Sequence, residues 1–254
     1  MKKGLIKTPA EIAIMAEGGA ILGRILRDAA ARVRPGINTL ELDAFVRDAL
    51  RQSGAEPSFL NYGPKRNPYP AALCVSANDV VVHGIPSRRQ ILKEGDIVGL
   101  DCGLRYRGLF LDAAVTVPVG RIGRAARRLL NTAEQALHSA IVQIIPGHHV
   151  GHISHAIQTT VERAGFNVVR DLVGHGVGYA VHEEPAVPCF GSPSDGIVLE
   201  PGMVIAIEPM VTAGNYALQT DSDGWTVRTQ DGSPSAHFEH TVAITGRGPR
   251  VLTE

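Results

Sequence analysis

Residues 96–116 read DIVGLDCGLRYRGLFLDAAVT. Two apolar runs, Ile97 to Leu100 and Leu109 to Leu111 continuing to Val117, flank a polar turn from Gly103 to Gly108. That pattern predicts a hairpin of two β-strands. Each strand carries one carboxylate in otherwise apolar surroundings, Asp101 and Asp112. Burying an unpartnered carboxylate costs on the order of several kcal/mol before its pKa shifts. Two of them on neighbouring strands also repel each other unless positive charge lies between them. Either a metal ion supplies that charge, or the turn arginines Arg105 and Arg107 do.

Composition excludes several classes of function. The chain has 254 residues, with 25 Lys and Arg against 25 Asp and Glu. That is long enough to bury a large core as one domain. No basic block points to nucleic acid or to an anionic membrane. The start, MKKGLIKTPAE, has no apolar segment after its lysines, so no signal peptide is expected, and no apolar run approaches a membrane span. Cys74, Cys102 and Cys189 are an odd, sparse set. They read as reduced thiols in a cytoplasmic protein and not as a disulfide framework.

Outward from the hairpin, the chain alternates helical and extended patterns. Thr8-Pro9-Ala10-Glu11 is a capping box that opens an amphipathic helix, which Arg34-Pro35-Gly36 stops. A second helix starts near Asn38 or Thr39 and ends at Gly54. The Pro-, Gly- and Asn-rich stretch 57–70, with Tyr62 and Tyr69, is a loop. Strands follow at Leu73 to Ser76 and around Val80 to Val82. Helices return at Ala125 to Ile145 and at Gly151 to Ala164.

A repeat then becomes visible. Pro35-Gly36, a helix and Gly54 are matched, at equal glycine spacing, by Pro146-Gly147, a helix and Gly165. LKEGDIVGLD, ending at Asp101, is matched by LEPGMVIAIE, ending at Glu208. The strand beginning Phe238-Glu239 echoes Leu111-Asp112. The chain therefore reads as one α+β domain over 1–254 built from two related halves, about 8–120 and 121–252. Their four carboxylates, Asp101, Asp112, Glu208 and Glu239, are expected to converge.

The segment GHGVGYAVHEEP, from Gly174 to Pro185, offers nitrogen donors. A lone histidine is more often structural than ligating. His175, flanked by glycines, supplies the imidazole that the carboxylates lack. An oxygen-rich site with one nitrogen suits a pair of divalent ions such as Mn²⁺, Fe²⁺ or Co²⁺ better than a structural zinc. A competing cluster, His148, His149, His152 and His155, aligns in the repeat with Ile37, Asn38, Glu41 and Ala44, where no ligands occur. It reads as a solvated helix start.

Six segments in order, VVHGIP around His83, the pair Asp101 and Asp112, GHGVG around His175, HEEP from His182, IEPM around Glu208 and AHFEHT around Glu239, resemble type I methionine aminopeptidases. The resemblance spans about residues 8–252 and implies the pita-bread fold, two pseudo-twofold halves with a curved antiparallel sheet covered by helices. It implies Asp101, Asp112, His175, Glu208 and Glu239 as ligands of two divalent ions (Co, Mn or Fe(II), with Zn as a further candidate). It implies His83 and His182 as catalytic, non-ligating histidines and Glu208 as proton acceptor. Tyr62, Tyr69, Cys74 and Trp225 are candidates for a methionine side-chain pocket; the bland reading of those four is ordinary packing. Nascent polypeptide N-termini are the implied partners, with ribosome association conceivable, a monomeric state, and neither membrane nor direct nucleic-acid binding.

The sequence departs from that pattern in places. Phe110 and Leu111 precede Asp112, and Ala113 and Ala114 follow it, where the family often has His-Gly and a small or hydroxylic residue. Val181 replaces an aromatic residue, and the loop from Tyr62 to Cys74 is longer than usual. Two rivals remain: a proline-specific aminopeptidase or dipeptidase of the same fold, which ordinarily carries a large extra N-terminal domain, and a non-catalytic pita-bread binding protein, which ordinarily loses metal ligands.

Overall fold

The hairpin is the spine of a nine-stranded sheet in the computed structural model, which describes residues 5–254. In chain order the elements are α1 (Pro9–Ala30), α2 (Thr39–Gln52), β1 (Glu56–Pro57), β2 (Cys74–Ala77), β3 (Val80–Val82), β4 (Ile97–Tyr106) and β5 (Leu109–Pro118). Then come α3 (Arg124–Ile141), α4 (Val150–Arg163), β6 (Asn167–Val168), β7 (Val173–Gly176), β8 (Glu183–Pro188), β9 (Val204–Ile207) and β10 (Met210–Thr212). The chain finishes with β11 (Leu218–Thr220), β12 (Val227–Thr229), β13 (Ser235–His237), β14 (Glu239–Thr245) and β15 (Gly248–Val251). The large sheet runs β1-β4-β5-β14-β9-β7-β8, with β2 added on β4 and β15 on β14. Its strand pairings are antiparallel. Two three-stranded sheets, β13-β10-β6 and β11-β12-β3, complete the structure.

The helices form where capping and periodicity call for them. Thr8 caps α1 with Glu11 reaching back, and Asn38 does the same for α2 with Glu41. The apolar stripes of α1 and α2 meet Leu100, Cys102 and Leu104 of β4 and Leu111 and Ala113 of β5 in one core. Helices α3 and α4 build a second core with β9, β10 and β14. Strand side chains alternate between faces, so once those residues turn toward the helices, Asp101 and Asp112 project from the opposite face.

The repeat is physical. Gly36 and Gly147 take φ of 89° and 93°, and Gly95 and Gly202 take 97° and 96°, left-handed turns that favour glycine. The isolated bridge Asn38–Ile91 is echoed by His149–Val198. The histidine cluster belongs to this repeat: the His149 amide donates to His152 Nδ1 at 3.2 Å, the counterpart of the Asn38–Glu41 cap. His148 stacks on His152 with ring centroids 4.0 Å apart. The arginine alternative for the buried aspartates fails. Arg105 pairs with Glu56 at 3.3 Å and Arg107 with Glu17 at 3.0 Å, both partly exposed.

Candidate metal centre and active site

Strand register converges the carboxylates. Asp101 lies opposite Ala114, and Ala114 lies opposite Glu239 across the β5–β14 seam where the two halves meet. Asp112 is two residues from Ala114 and so shares its face. Ligating atoms of Asp101, Asp112 and Glu239 lie within 4.8 Å of one another, and so do those of His175, Glu208 and Glu239. β9 ends at Ile207, which brings Glu208 to the edge of this cluster before Pro209 and the passage to β10 in the neighbouring sheet. β7 presents His175 opposite Ala206 of β9.

Without a cation the four carboxyls of the cluster cannot all be ionised near neutral pH. Burial pushes the carboxyl of Asp101 up to about 7. Asp112, Glu208 and Glu239 rise well above the usual carboxylate range, first through burial and then through the neighbouring carboxylates. Asp101 Oδ1 and Glu239 Oε1 are buried with no hydrogen-bond partner among the described residues. His175 sharpens the point. Its Nδ1 is 2.9 Å from the Gly176 carbonyl, which can only accept, so Nδ1 carries the proton. Burial lowers its pKa to about 4, so the ring is neutral near pH 7 and Nε2 presents a lone pair. That lone pair points at Glu208 Oε1, 3.5 Å away. A lone pair facing a carboxylate, beside two orphaned carboxylate oxygens, is the arrangement a divalent ion satisfies.

Two further histidines flank the cluster. His182 sits 4.4 Å from the His175 ring, and its Nδ1 is 2.6 Å from the Tyr62 hydroxyl. His83 follows β3 with φ of 58°, a sparsely populated conformation for a side-chain-bearing residue. Burial lowers its pKa to about 4.

The cluster forms the floor of a cavity of about 160 Å³, whose walls include Phe59, Tyr62, Tyr69, Cys74, His83, His182 and Trp225. That is below the roughly 300–1,000 Å³ of sites for drug-sized ligands, and it suits a single side chain. Tyr69 is buried and donates to the Gly84 carbonyl at 2.9 Å. Trp225 meets Tyr69 edge-on at 5.3 Å and donates Nε1–H to the Asn67 carbonyl at 3.0 Å, so the long loop folds onto it. Every residue expected at the site therefore reaches this one cavity. Val181 does not line it; it packs behind, against Phe59, Tyr69 and Cys74.

Sequence reading missed Phe59, Met210 and His237 on the wall. The first two resemble ordinary core residues, and nothing marks their direction. His237 lies two residues before Glu239, and that spacing on an extended chain was the available signal.

The profile of metallopeptidase family M24 matches residues 13–246. The chain is 45% identical to methionine aminopeptidase 1 of Bacillus subtilis over 98% of each sequence. It is likewise 45% identical to the methionine aminopeptidase of Aquifex aeolicus over 96% of each. The crystal structure of a methionine aminopeptidase from Thermotoga maritima matches with a TM-score of 0.95 at 44% identity, covering 98% of each chain. The prolidase of Pyrococcus furiosus shares the fold, with a TM-score of 0.79 at 24% identity over 65% of its length. The architecture is thus the pita-bread α+β fold.

Proposed function

Because the chain belongs to metallopeptidase family M24, we propose that it is a metal-dependent aminopeptidase that removes the initiator methionine from nascent proteins whose second residue is small. The single observation that carries this reading is a buried carboxylate–imidazole cluster on the floor of an apolar, single-residue cavity. The chain's 45% identity to a methionine aminopeptidase over 98% of its length supports the choice of substrate.

Asp101, Asp112, His175, Glu208 and Glu239 would hold two divalent ions, with Mn²⁺, Fe²⁺ and Co²⁺ suited to the donor set and Zn²⁺ acceptable. The metal supplies Lewis-acid polarisation of the scissile carbonyl and an acidified water. The remaining steps fall to the chain. Glu208, deprotonated in the metal-loaded site, would take the proton of the attacking water. His182 donates to the carbonyl oxygen as negative charge builds there. His83, across the cavity beside Trp225 at 6.2 Å between ring centroids, contacts the scissile amide or the departing amine. Tyr69, Cys74 and Trp225 hold the thioether side chain, which packs well against aromatic rings.

The test is hydrolysis of Met-Ala-Ser by the metal-loaded protein, with an Xaa-Pro peptide alongside. Release of methionine that stops on chelation and returns with added metal is the expected result. Preferential cleavage of Xaa-Pro would transfer the chain to the proline-specific branch. Uptake well below one ion per chain would mark it as a binding protein.

A further inference from the structure

His237 is fully accounted for neither by the core nor by the ligand set. It ends β13, next to the turn into β14, and is 4% exposed. The Thr116 hydroxyl clamps its backbone from both sides, accepting from the His237 amide at 2.9 Å and donating to its carbonyl at 2.7 Å. The main chain that carries the ring is thereby fixed against β5. Its Nε2 is buried and has no hydrogen-bond partner among the described residues. That atom lies 3.6 Å from Glu208 Oε2 and 3.8 Å from Glu239 Oε2.

Glu208 therefore stands between two imidazoles, His175 at Oε1 and His237 at Oε2. They face it differently. The His175 Nε2 carries a lone pair, because its proton is committed to the Gly176 carbonyl. An Nε2 at His237 that bore a second lone pair would leave both carboxylate oxygens facing acceptors. An Nε2–H there would give Oε2 a donor and leave Oε1 free on the His175 side.

We propose that His237 is a positioning residue, whose Nε2–H, 3.6 Å from Glu208 Oε2 in the metal-free protein, closes onto that oxygen as a donor in the metal-loaded protein and thereby presents Oε1, together with His175, to the metal. This rests on the reading of the five-residue cluster as the metal centre. His237 is not a sixth ligand in this assignment. Partners that orient ligating carboxylates typically contribute about 10–100-fold in metal affinity.

The test compares the full chain with His237→Gln and His237→Leu by calorimetric titration of Mn²⁺ into the metal-free proteins. Thermal melts of the metal-free forms control for folding. Glutamine keeps an N–H donor and leucine does not. Mn²⁺ affinity should fall about 10–100-fold in His237→Leu and stay within a few-fold of the unsubstituted protein in His237→Gln. Equal loss in both variants, or no loss in His237→Leu, overturns the proposal. Should the leucine variant fail to fold, nitrogen NMR of the unsubstituted, zinc-loaded protein decides. A His237 Nε2 that bears a proton supports the donor role, and a proton-free, metal-bound Nε2 overturns it. If the unsubstituted protein takes up no metal, the metal-centre reading fails; normal uptake with an indifferent His237→Leu removes only the role of His237.

Discussion

Asp112 and Glu239 lie on the two strands of the seam between β5 and β14, each with other carboxylates as neighbours. Asp112→Asn and Glu239→Ala are expected to abolish methionine release while leaving the far-UV circular dichroism native-like. Removing one of several crowded carboxylates relieves repulsion in the metal-free fold, so secondary structure should not suffer. Most of the original rate surviving at saturating metal would contradict the assignment. His182 separates binding from chemistry. As an oxyanion donor its loss should lower kcat by about 10²–10³ with KM little changed. Metal affinity in His182→Ala should stay near that of the parent, because His175 supplies the imidazole. Collapse of metal affinity with the rate at saturating metal intact would make His182 a ligand instead.

The elements around the cavity depend on a few tertiary ties. Asp43 of α2, almost fully buried, accepts from the amides of Ala72 and Leu73 at 2.8 and 3.1 Å and pairs with Arg47 at 2.6 Å. It thus anchors the segment entering β2, which carries Cys74 into the cavity wall. Asp43→Ala strands two buried donors at roughly 1–3 kcal/mol each, whereas Asp43→Asn keeps an acceptor and should cost much less. Urea unfolding of the metal-free proteins measures the difference; equal effects of the two substitutions would refute the anchoring role. Loss of the α1 cap in Thr8→Ala should cost only about 1 kcal/mol, since one exposed cap is replaced by water. Melting temperature would then fall by roughly 2–4 °C, which differential scanning calorimetry resolves.

Across the whole molecule, the metal centre couples folding to pH. In the metal-free fold, burial raises the Asp101 carboxyl from 3.8 to about 7. A carboxyl whose folded value exceeds its unfolded value binds its proton more tightly in the folded state. Its contribution is therefore fully present below about pH 4 and is lost as pH rises through about 7. Metal binding requires the same group deprotonated, so metal should stabilise progressively more across that window. The gap in melting temperature between metal-loaded and chelated protein is expected to widen from about pH 5 to about pH 8. A gap that stays level would show that the cluster is not the metal site.

Much of this was legible before any coordinates. The hairpin followed from two apolar runs, carrying Asp101 and Asp112, on either side of a polar turn. The two halves followed from equal spacing of glycines and carboxylates, because a turn that needs left-handed backbone and a strand that needs a fixed register both leave their spacing in the chain. The four carboxylates could be named for the same reason, since Glu208 ends a segment matched to that of Asp101 and Glu239 echoes Asp112; His175 was reached as the imidazole they lack and through the family resemblance. The cavity wall left no such trace. Phe59 and Met210 look like any core residue, and whether Tyr62 lines a pocket or bonds to His182 depends on where a long loop comes to rest. The placement of His237 is likewise invisible in sequence, since its main chain is fixed by the Thr116 hydroxyl on another strand. Local periodicity encodes which face a residue takes; which neighbour it meets is set by packing between segments far apart in the chain.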